Sequence, residues 1–558
     1  MLNTYTFPEY DYIRSKDQDA AEPVRHPVIV VGAGPIGMAM ALDLALHDVP
    51  VVVLDDNNTV SVGSRAVCYA KRFLEIMDRL GIGQRLVDKG VTWNIGKVFF
   101  DRDLVYTFNM LPEEHHRRPG FINLQQYYLE EYMVDRIHEL GGIDLRWKSK
   151  VTQVEQDETG ATVTVETPEG SYRMQCDYLI ACDGANSQIR SQCGLESKGQ
   201  IFKDRFLIAD VVMDPSNFPP ERWFWFNPHF HEGQSTLLHR QADNVWRIDF
   251  DLGWDADPEE EKKPENIIPR VRAFLGDEVE FELEWASVYT FTCRRMDNFR
   301  LGRIFFAGDA AHQVSPFGAR GANSGAQDTD NLAWKLKLVM DGRAPDSLLD
   351  TYSDERVYAA DENILNSTRS TDFITPKNEI SRVFRDATLS LARDYPFARR
   401  LVNSGRLSLP AVYTHSSLNT LDQETFVGNM LPGAPSTDAP VSKAGQEGYL
   451  LDHLGNQFNG LLFIEGKRDL SQAVLDQLSA LYQAKIPLKS YLVCSHQVDL
   501  PLPDGVELLV DTLGVVKERF DATAGTFYVL RPDQHVCARM RQLDNNRVAA
   551  AIRKATAQ

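Results

Sequence analysis

Regular patterning begins with a short, continuously apolar run, Val28-Ile29-Val30-Val31, that ends in glycines. A run of that length with no polar alternation suits a strand buried on both faces of a parallel sheet. Met38 to Leu46 carries Ala and Leu on one helical side, and Val51-Val52-Val53-Leu54 is a second apolar run closed by Asp55-Asp56-Asn57-Asn58. Together they predict a strand–helix–strand unit of about 30 residues. Tyr127 to Leu140 predicts a helix stopped by Gly141-Gly142, and Val151 to Glu166 two strands around a Glu158-Thr159-Gly160 turn. Asp177 to Ala181 reads as a further buried strand. From Phe206 to Leu252 the pattern is β-rich and aromatic (Trp223, Phe224, Trp225, Phe226, Trp246, Phe250), as in a sheet roofing a pocket. Ile304 to Ala307 is again a buried strand, Ser324 to Met340 a long helix, and 376–396 helical. A Pro/Gly/Ser-rich stretch near 426–447 marks a domain boundary. Beyond it the tail alternates in a βαβ then ββα order.

Composition narrows the function classes. A chain of 558 residues has room for several domains. Its formal charge of -20 argues against a nucleic-acid surface or an anionic membrane, both of which attract basic patches. An anionic small substrate stays open, because a buried pocket can set one Arg against the global sign. Seven cysteines form no CxxC pair, which fits thiols in a reducing cytosol. His229, His231, His239 and His312 lack metal-ligand spacing, so no metal site is expected, and His312 reads as a loop or helix-start residue. Residues 1–26 are polar and unlike a signal peptide, and no apolar run approaches ~18 residues. A cytoplasmic location is expected.

Three motifs then occur in a fixed order. Gly32-Ala33-Gly34-Pro35-Ile36-Gly37 lies between the first strand and its helix. Its glycines suit a tight turn, close approach of backbone to a pyrophosphate, and close helix–strand packing, with the helix N-terminus facing the phosphates. Asp55 is placed to bind a ribose, with Asp56 as the fallback at the uncertain strand end. Asp183-Gly184-Ala185-Asn186-Ser187, with Arg190, follows a buried strand, and Gly308-Asp309 follows another. Together these resemble the single-component flavoprotein aromatic hydroxylases, the family of p-hydroxybenzoate hydroxylase, over roughly residues 27–400. The tail narrows the resemblance toward the phenol hydroxylase and 3-(3-hydroxyphenyl)propionate hydroxylase branch.

That resemblance implies an α/β fold. A Rossmann-type FAD-binding domain would comprise 27–205 and 295–425, with an N-terminal extension at 1–26. The interleaved β-rich substrate domain would be 206–294, and a C-terminal thioredoxin-like domain would occupy 426–558. It implies non-covalent FAD, with Asp309 on the ribityl chain and Asp183 and Gly184 near the flavin. Arg65, Gln125 and Val151 match positions that contact FAD. In Pro316-Phe317-Gly318-Ala319-Arg320-Gly321-Ala322-Asn323, small residues let backbone lie against the flavin ring, and the following helix points its positive end at it. Arg320 stands where the family has an uncharged residue. It either pairs with a substrate acid or faces solvent.

The activity so implied is hydroxylation of a phenolic ring, with NADH or NADPH as electron donor and O2 as oxidant, through oxygen addition at flavin C4a, in a homodimer. A general base is not identifiable. Two alternatives stay open: a monooxygenase of larger polyketide or antibiotic scaffolds, and a flavin-bound interaction protein. Trp223-Phe224-Trp225-Phe226-Asn227-Pro228 echoes a halogenase motif imperfectly, with Asn227 where Ile is expected, and reads as strand packing.

Overall fold

The computed structural model describes residues 4–231, 233–402, 408–499 and 501–558, so residues 1–3 of the extension and 403–407 lie outside the described residues. The first apolar run belongs to a strand, Val24–Val31, that pairs in parallel with Val51–Leu54 and with Gly170–Ala181. Ile143–Arg146 continues the parallel sheet beyond Val51–Leu54, and Ile304–Phe306 continues it beyond Gly170–Ala181. The adjacent strands Ile304–Phe306, Gly170–Ala181 and Val24–Val31 therefore end side by side, and at their carboxyl ends stand Gly308-Asp309, Asp183-Gly184 and the Gly32–Gly37 turn. Motifs some 150 residues apart in sequence become neighbours because parallel strands share one direction, and open α/β sheets bind ligands at that edge.

A second, eight-stranded sheet runs in the order His312–Gln313, Phe281–Met296, Ser197–Met213, Val245–Gly253, Ser235–Arg240, Arg222–Phe226, Ile95–Phe100, Asp103–Asn109. Strand alternation gives it two faces. Trp223, Trp225, Leu238, Trp246, Ile248 and Phe250 form an outer core with Ile267, Val271 and Leu275 of the Pro264–Leu275 helix. The tryptophan alternation is thus packing, as read from the sequence. Phe224, Phe226, Leu237, Phe206 and Phe291 turn inward toward Phe317.

Three of the expected domain limits cut through single strands. Positions 205/206 and 294/295 fall inside the Ser197–Met213 and Phe281–Met296 strands, and 26/27 falls inside Val24–Val31. Ile95–Phe100 and Asp103–Asn109, from within the 27–205 segment, join the second sheet. Ile95–Phe100 pairs with Arg222–Phe226, over a hundred residues away, a pairing that local pattern does not encode.

The tail forms a third sheet. Phe458–Phe463 and Leu488–Cys494 are parallel, and Phe527–Leu530 and Val536–Met540 form an antiparallel hairpin on the other side of Phe458–Phe463. With the Gln472–Tyr482 and Asn545–Ala555 helices this is the expected βαβ–ββα order. Its core is continuous with Trp334, Leu338 and Leu348 of the first domain. The N-terminal extension lies across the first domain, where Tyr5 stacks on Tyr127 (4.1 Å) and Tyr10 on Trp147 (4.7 Å).

Candidate active site

The glycine turn is held from both sides. Gly32 N–H donates to the Leu54 carbonyl at 2.8 Å, and Ala33 N–H to Asp55 Oδ2 at 2.5 Å. Gly32 has φ +105°, and a side chain there would drive into the Cys182 carbonyl. Gly34 is the opposite case, since a Cβ there would meet nothing within 4 Å. Backbone at Gly34 is thus bare toward open space at the N-terminus of the Pro35–Leu46 helix, which carries no side-chain cap. Pro35 at the first helical position gives up an N–H that would have no intrahelical partner anyway. Ile36 packs on Gly308 and Gly325 and locks this turn to the third motif. The second Asp55 oxygen accepts the Asn57 N–H at 2.8 Å, while Asp56 is exposed.

At Asp183-Gly184 one carboxylate oxygen accepts the Ile189 N–H at 3.1 Å, and the other is buried without a partner. Burial pushes that carboxyl above the usual carboxylate range. Arg190 ties the second motif to the third, donating to the Ala185 carbonyl (2.9 Å) and the Ala310 carbonyl (2.7 Å). Beside it, Gly308 N–H donates to Asp328 Oδ2 at 2.9 Å, and His312 Nε2 lies 2.7 Å from the same oxygen. Arg356 Nε donates to Asp328 Oδ1 at 2.6 Å. Burial would raise the Asp328 carboxyl, but His312 and Arg356 outweigh it and hold it below the usual range. His312, expected in a loop or helix start, is instead a buried member of this network on the edge strand of the second sheet. Asp309 points the other way. Between buried Gly308 and Ala310 its side chain is exposed, and among the described residues its carboxylate accepts no hydrogen bond.

The 316–323 loop has φ +98° at Gly318 and +52° at Ala319, a left-handed bend rare for Ala. It leads into the Gly321–Met340 helix, whose N-terminus carries no side-chain cap, so the first N–H groups at Gly321 and Ala322 stay available. Asn323 braces the loop: Oδ1 accepts the Ala70 N–H (2.8 Å), and Nδ2 donates to the Cys68 (2.8 Å) and Ala319 (2.6 Å) carbonyls. Pro316 is exposed and accepts the Ala319 N–H at 3.0 Å. Arg320 is buried, with Nη1 donating to Asn363 Oδ1 at 3.0 Å. Arg65 is exposed with φ +44°. Gln125 is buried, donating to the Ala242 carbonyl (3.1 Å) with its Oε1 unpaired. Val151 is half-buried opposite Val165.

These observations fit a dinucleotide flavin: bare backbone at two uncapped helix N-termini, an orphaned carboxylate oxygen at Asp183, and an unpaired carboxylate at Asp309. Residues 25–367 match the family described as FAD binding domain. The chain belongs to that family. Among curated relatives of this FAD-binding protein, the 3-(3-hydroxy-phenyl)propionate/3-hydroxycinnamic acid hydroxylase of Mycolicibacterium smegmatis is 27% identical over 515 residues, 91% of this chain and 89% of the relative. The 12-dehydrotetracycline 5-monooxygenase/anhydrotetracycline 6-monooxygenase of Streptomyces rimosus is 31% identical over 356 residues, 62% of this chain and 69% of the relative. In fold, the chain is similar to the flavin-dependent monooxygenase PieE, solved with FAD and substrate, with a TM-score of 0.79, 22% identity and coverage of 96% and 99%.

Several buried polar residues packed around these motifs of the FAD-binding protein carry no motif of their own. Asp328 and Arg356 lie mid-helix and read as polar faces; only the Gly308 N–H and His312 beside them reveal a role. Arg222, His239 and Cys68 likewise belong to strands whose facing became clear only on folding. Among the described residues no His/Cys/Asp/Glu group is arranged for a metal, and no helix is long and apolar enough to cross a membrane.

Proposed function

We propose that the chain is an FAD-dependent hydroxylase of a phenolic carboxylic acid, taking electrons from NADH or NADPH and an oxygen atom from O2, and working as a cytoplasmic homodimer. The observation that carries the reading is the match along 91% of the chain to hydroxylases of hydroxyphenyl-propionate and hydroxycinnamate, which spans all three sheets and not the nucleotide domain alone. FAD bound in the groove would carry electrons from NAD(P)H to dioxygen next to the ring.

The chain's own part is holding and shielding. Gly34 and the Pro35–Leu46 helix would face the pyrophosphate, Asp309 the ribityl hydroxyls, and the N–H groups of Gly321 and Ala322 the negative charge of reduced flavin. Phe206, Phe291 and Phe317 meet ring to ring at 4.9–5.2 Å, an apolar wall that would help exclude water beside the flavin.

The test is NAD(P)H consumption by the yellow holoenzyme with small phenolic acids, coupled to mass detection of the hydroxylated product. Turnover and a product 16 mass units heavier support the reading. The tetracycline-type relative supports a second reading, oxygenation of a polycyclic scaffold. Product from polycyclic substrates with none from phenolic acids would decide for it.

A further inference from the structure

A polar row one residue wide crosses the inner face of the second sheet. Arg222 is paired across strands with His239, His239 with Arg247, and Arg247 with Asp210. All four are buried, at 4%, 2%, 4% and 1% exposure. At one end the charges are matched: Arg247 Nε donates to Asp210 Oδ1 at 3.0 Å, and its Nη1 to the Arg65 carbonyl at 2.9 Å. His239 Nε2 lies 3.7 Å from Asp249 Oδ2.

Arg222 is the exception. Among the described residues no carboxylate pairs with its guanidinium. Its Nη1 donates to Cys68 Sγ at 3.1 Å, and its Nε is buried without an acceptor. Even as a thiolate, one sulfur engages a single N–H of the fork and leaves the buried Nε without an acceptor, where a carboxylate would take two N–H groups at once. The Arg247–Asp210 pair, two strands away, shows how this sheet satisfies a buried arginine from within the chain.

The surroundings suit an aromatic anion. The guanidinium lies 5.2 Å from the Phe224 ring centroid and 5.9 Å from that of Trp93. Cys68 belongs to an apolar cluster with Val67, Trp93 and Phe121, on which Ala319 of the 316–323 loop packs. Asn323 fastens that loop to the Cys68 and Ala70 backbone. Arg222 thus connects to the loop that would face the flavin through Cys68 and Asn323. Burial alone would raise the Cys68 thiol, but Arg222, His239 and Arg247 outweigh it and lower it to about 7. The field at this spot favours a negative charge.

We propose that Arg222 is the anchor for the substrate carboxylate, receiving it on the guanidinium edge that carries the unpaired Nε. This rests on the phenolic-acid reading above. It assigns to Arg222 the role that one of the two sequence readings gave to Arg320, which is buried and bonded to Asn363. Arg suits it because its planar fork matches a carboxylate with two parallel hydrogen bonds, which Lys cannot copy.

The experiment titrates FAD-loaded enzyme with 3-(3-hydroxyphenyl)propionate and with the uncharged 3-(3-hydroxyphenyl)propan-1-ol, reading flavin absorbance. Arg222→Met should weaken the acid about 20-fold or more and the alcohol less than about threefold, the scale of a lost charge-assisted hydrogen bond. Arg222→Lys should fall between, and Arg320→Lys should leave the acid-to-alcohol ratio unchanged. Equal loss for both ligands, or none for the acid, would overturn the proposal. Should Arg222→Met fail to fold, Cys68→Asp supplies an internal carboxylate. It should raise Tm and weaken the acid while sparing the alcohol, and unchanged acid affinity would count against the anchor. Binding decides Arg222; product formation separately decides the hydroxylase reading. An enzyme that hydroxylates the alcohol and ignores the acid sinks the anchor and keeps the hydroxylase.

Discussion

Asp309 shows what a single residue contributes. Its neighbours Gly308 and Ala310 are buried, and Asp328 takes the Gly308 N–H, so the backbone on either side is fixed while the Asp309 carboxylate faces open space. An acceptor held in that way costs no reorganisation when a hydroxyl arrives. Asp309→Ala should weaken FAD about 10- to 150-fold, the range of a hydrogen bond to a charged group. Fluorescence titration of the FAD-stripped variant checks it. Unchanged affinity would remove Asp309 from the flavin site. The Gly308-Asp309 turn was legible in the sequence because Gly-Asp after a buried strand is a local arrangement. Its support was not, because Asp328, Arg356 and His312 come from two helices and an edge strand and meet only in the fold.

Elements are coupled by buried charge. The Arg531–His535 loop of the tail enters the first domain, where Arg531 forks onto Glu355 (2.6 and 3.0 Å) and also bonds Asp533. Lys335 reaches the same Glu355 at 2.9 Å, and Arg72 bonds Gln534 and the Asp533 carbonyl, both at 2.8 Å. The next residue on the Glu355 helix is Arg356, which holds Asp328 and, through it, Gly308. The tail therefore braces the Gly308-Asp309 turn through two adjacent residues of one helix. Arg531→Met would leave Glu355 and Asp533 buried without their shared cation, a loss of about 3–5 kcal/mol. Its Tm should drop clearly and its FAD affinity should fall with it. A variant that melts like the wild type would show that the tail is merely tethered. The tail's elements were legible from periodicity, and its lack of a CxxC pair was plain. Its docking was not, since Arg531-Pro532-Asp533 reads as an ordinary turn until Glu355 is opposite.

For the whole molecule, buried carboxyls set opposing pH responses. Burial, with Asp204 near, pushes Asp251 up to about 7, and burial with Glu75 pushes Asp438 up to about 6. Their folded forms hold protons that the unfolded chain has released, so each adds stability as pH falls from about 7 toward about 4. Glu355 and Asp533 behave oppositely. Burial would raise both, but Arg531 outweighs it, aided by Lys335 at Glu355 and by His535 at Asp533, and holds them below the usual range. Their contribution is present above the unfolded carboxylate pKa and is lost as pH falls below about 4. Tm followed by flavin fluorescence should therefore rise modestly from about pH 8 to about pH 5 and collapse below about pH 4. A Tm that declines steadily from neutrality would contradict this.

The sequence alone determined what is local: the buried strands and helices, the glycine turn with Asp55, the two later motifs, and the absence of CxxC chemistry. Each depends on spacing within a dozen residues, where backbone geometry leaves few choices. Tertiary structure decided the rest. Strands 95–109 joined a sheet whose other members begin a hundred residues later, and three of the expected domain limits cut through continuous strands. Arg222, the residue before the Trp223–Phe226 aromatic run, is in the fold a buried cation lacking a carboxylate. Which face a strand residue occupies is written in its alternation. Which partner waits on that face depends on long-range packing, and packing is where the charges of this chain acquire their counterparts or are left without one.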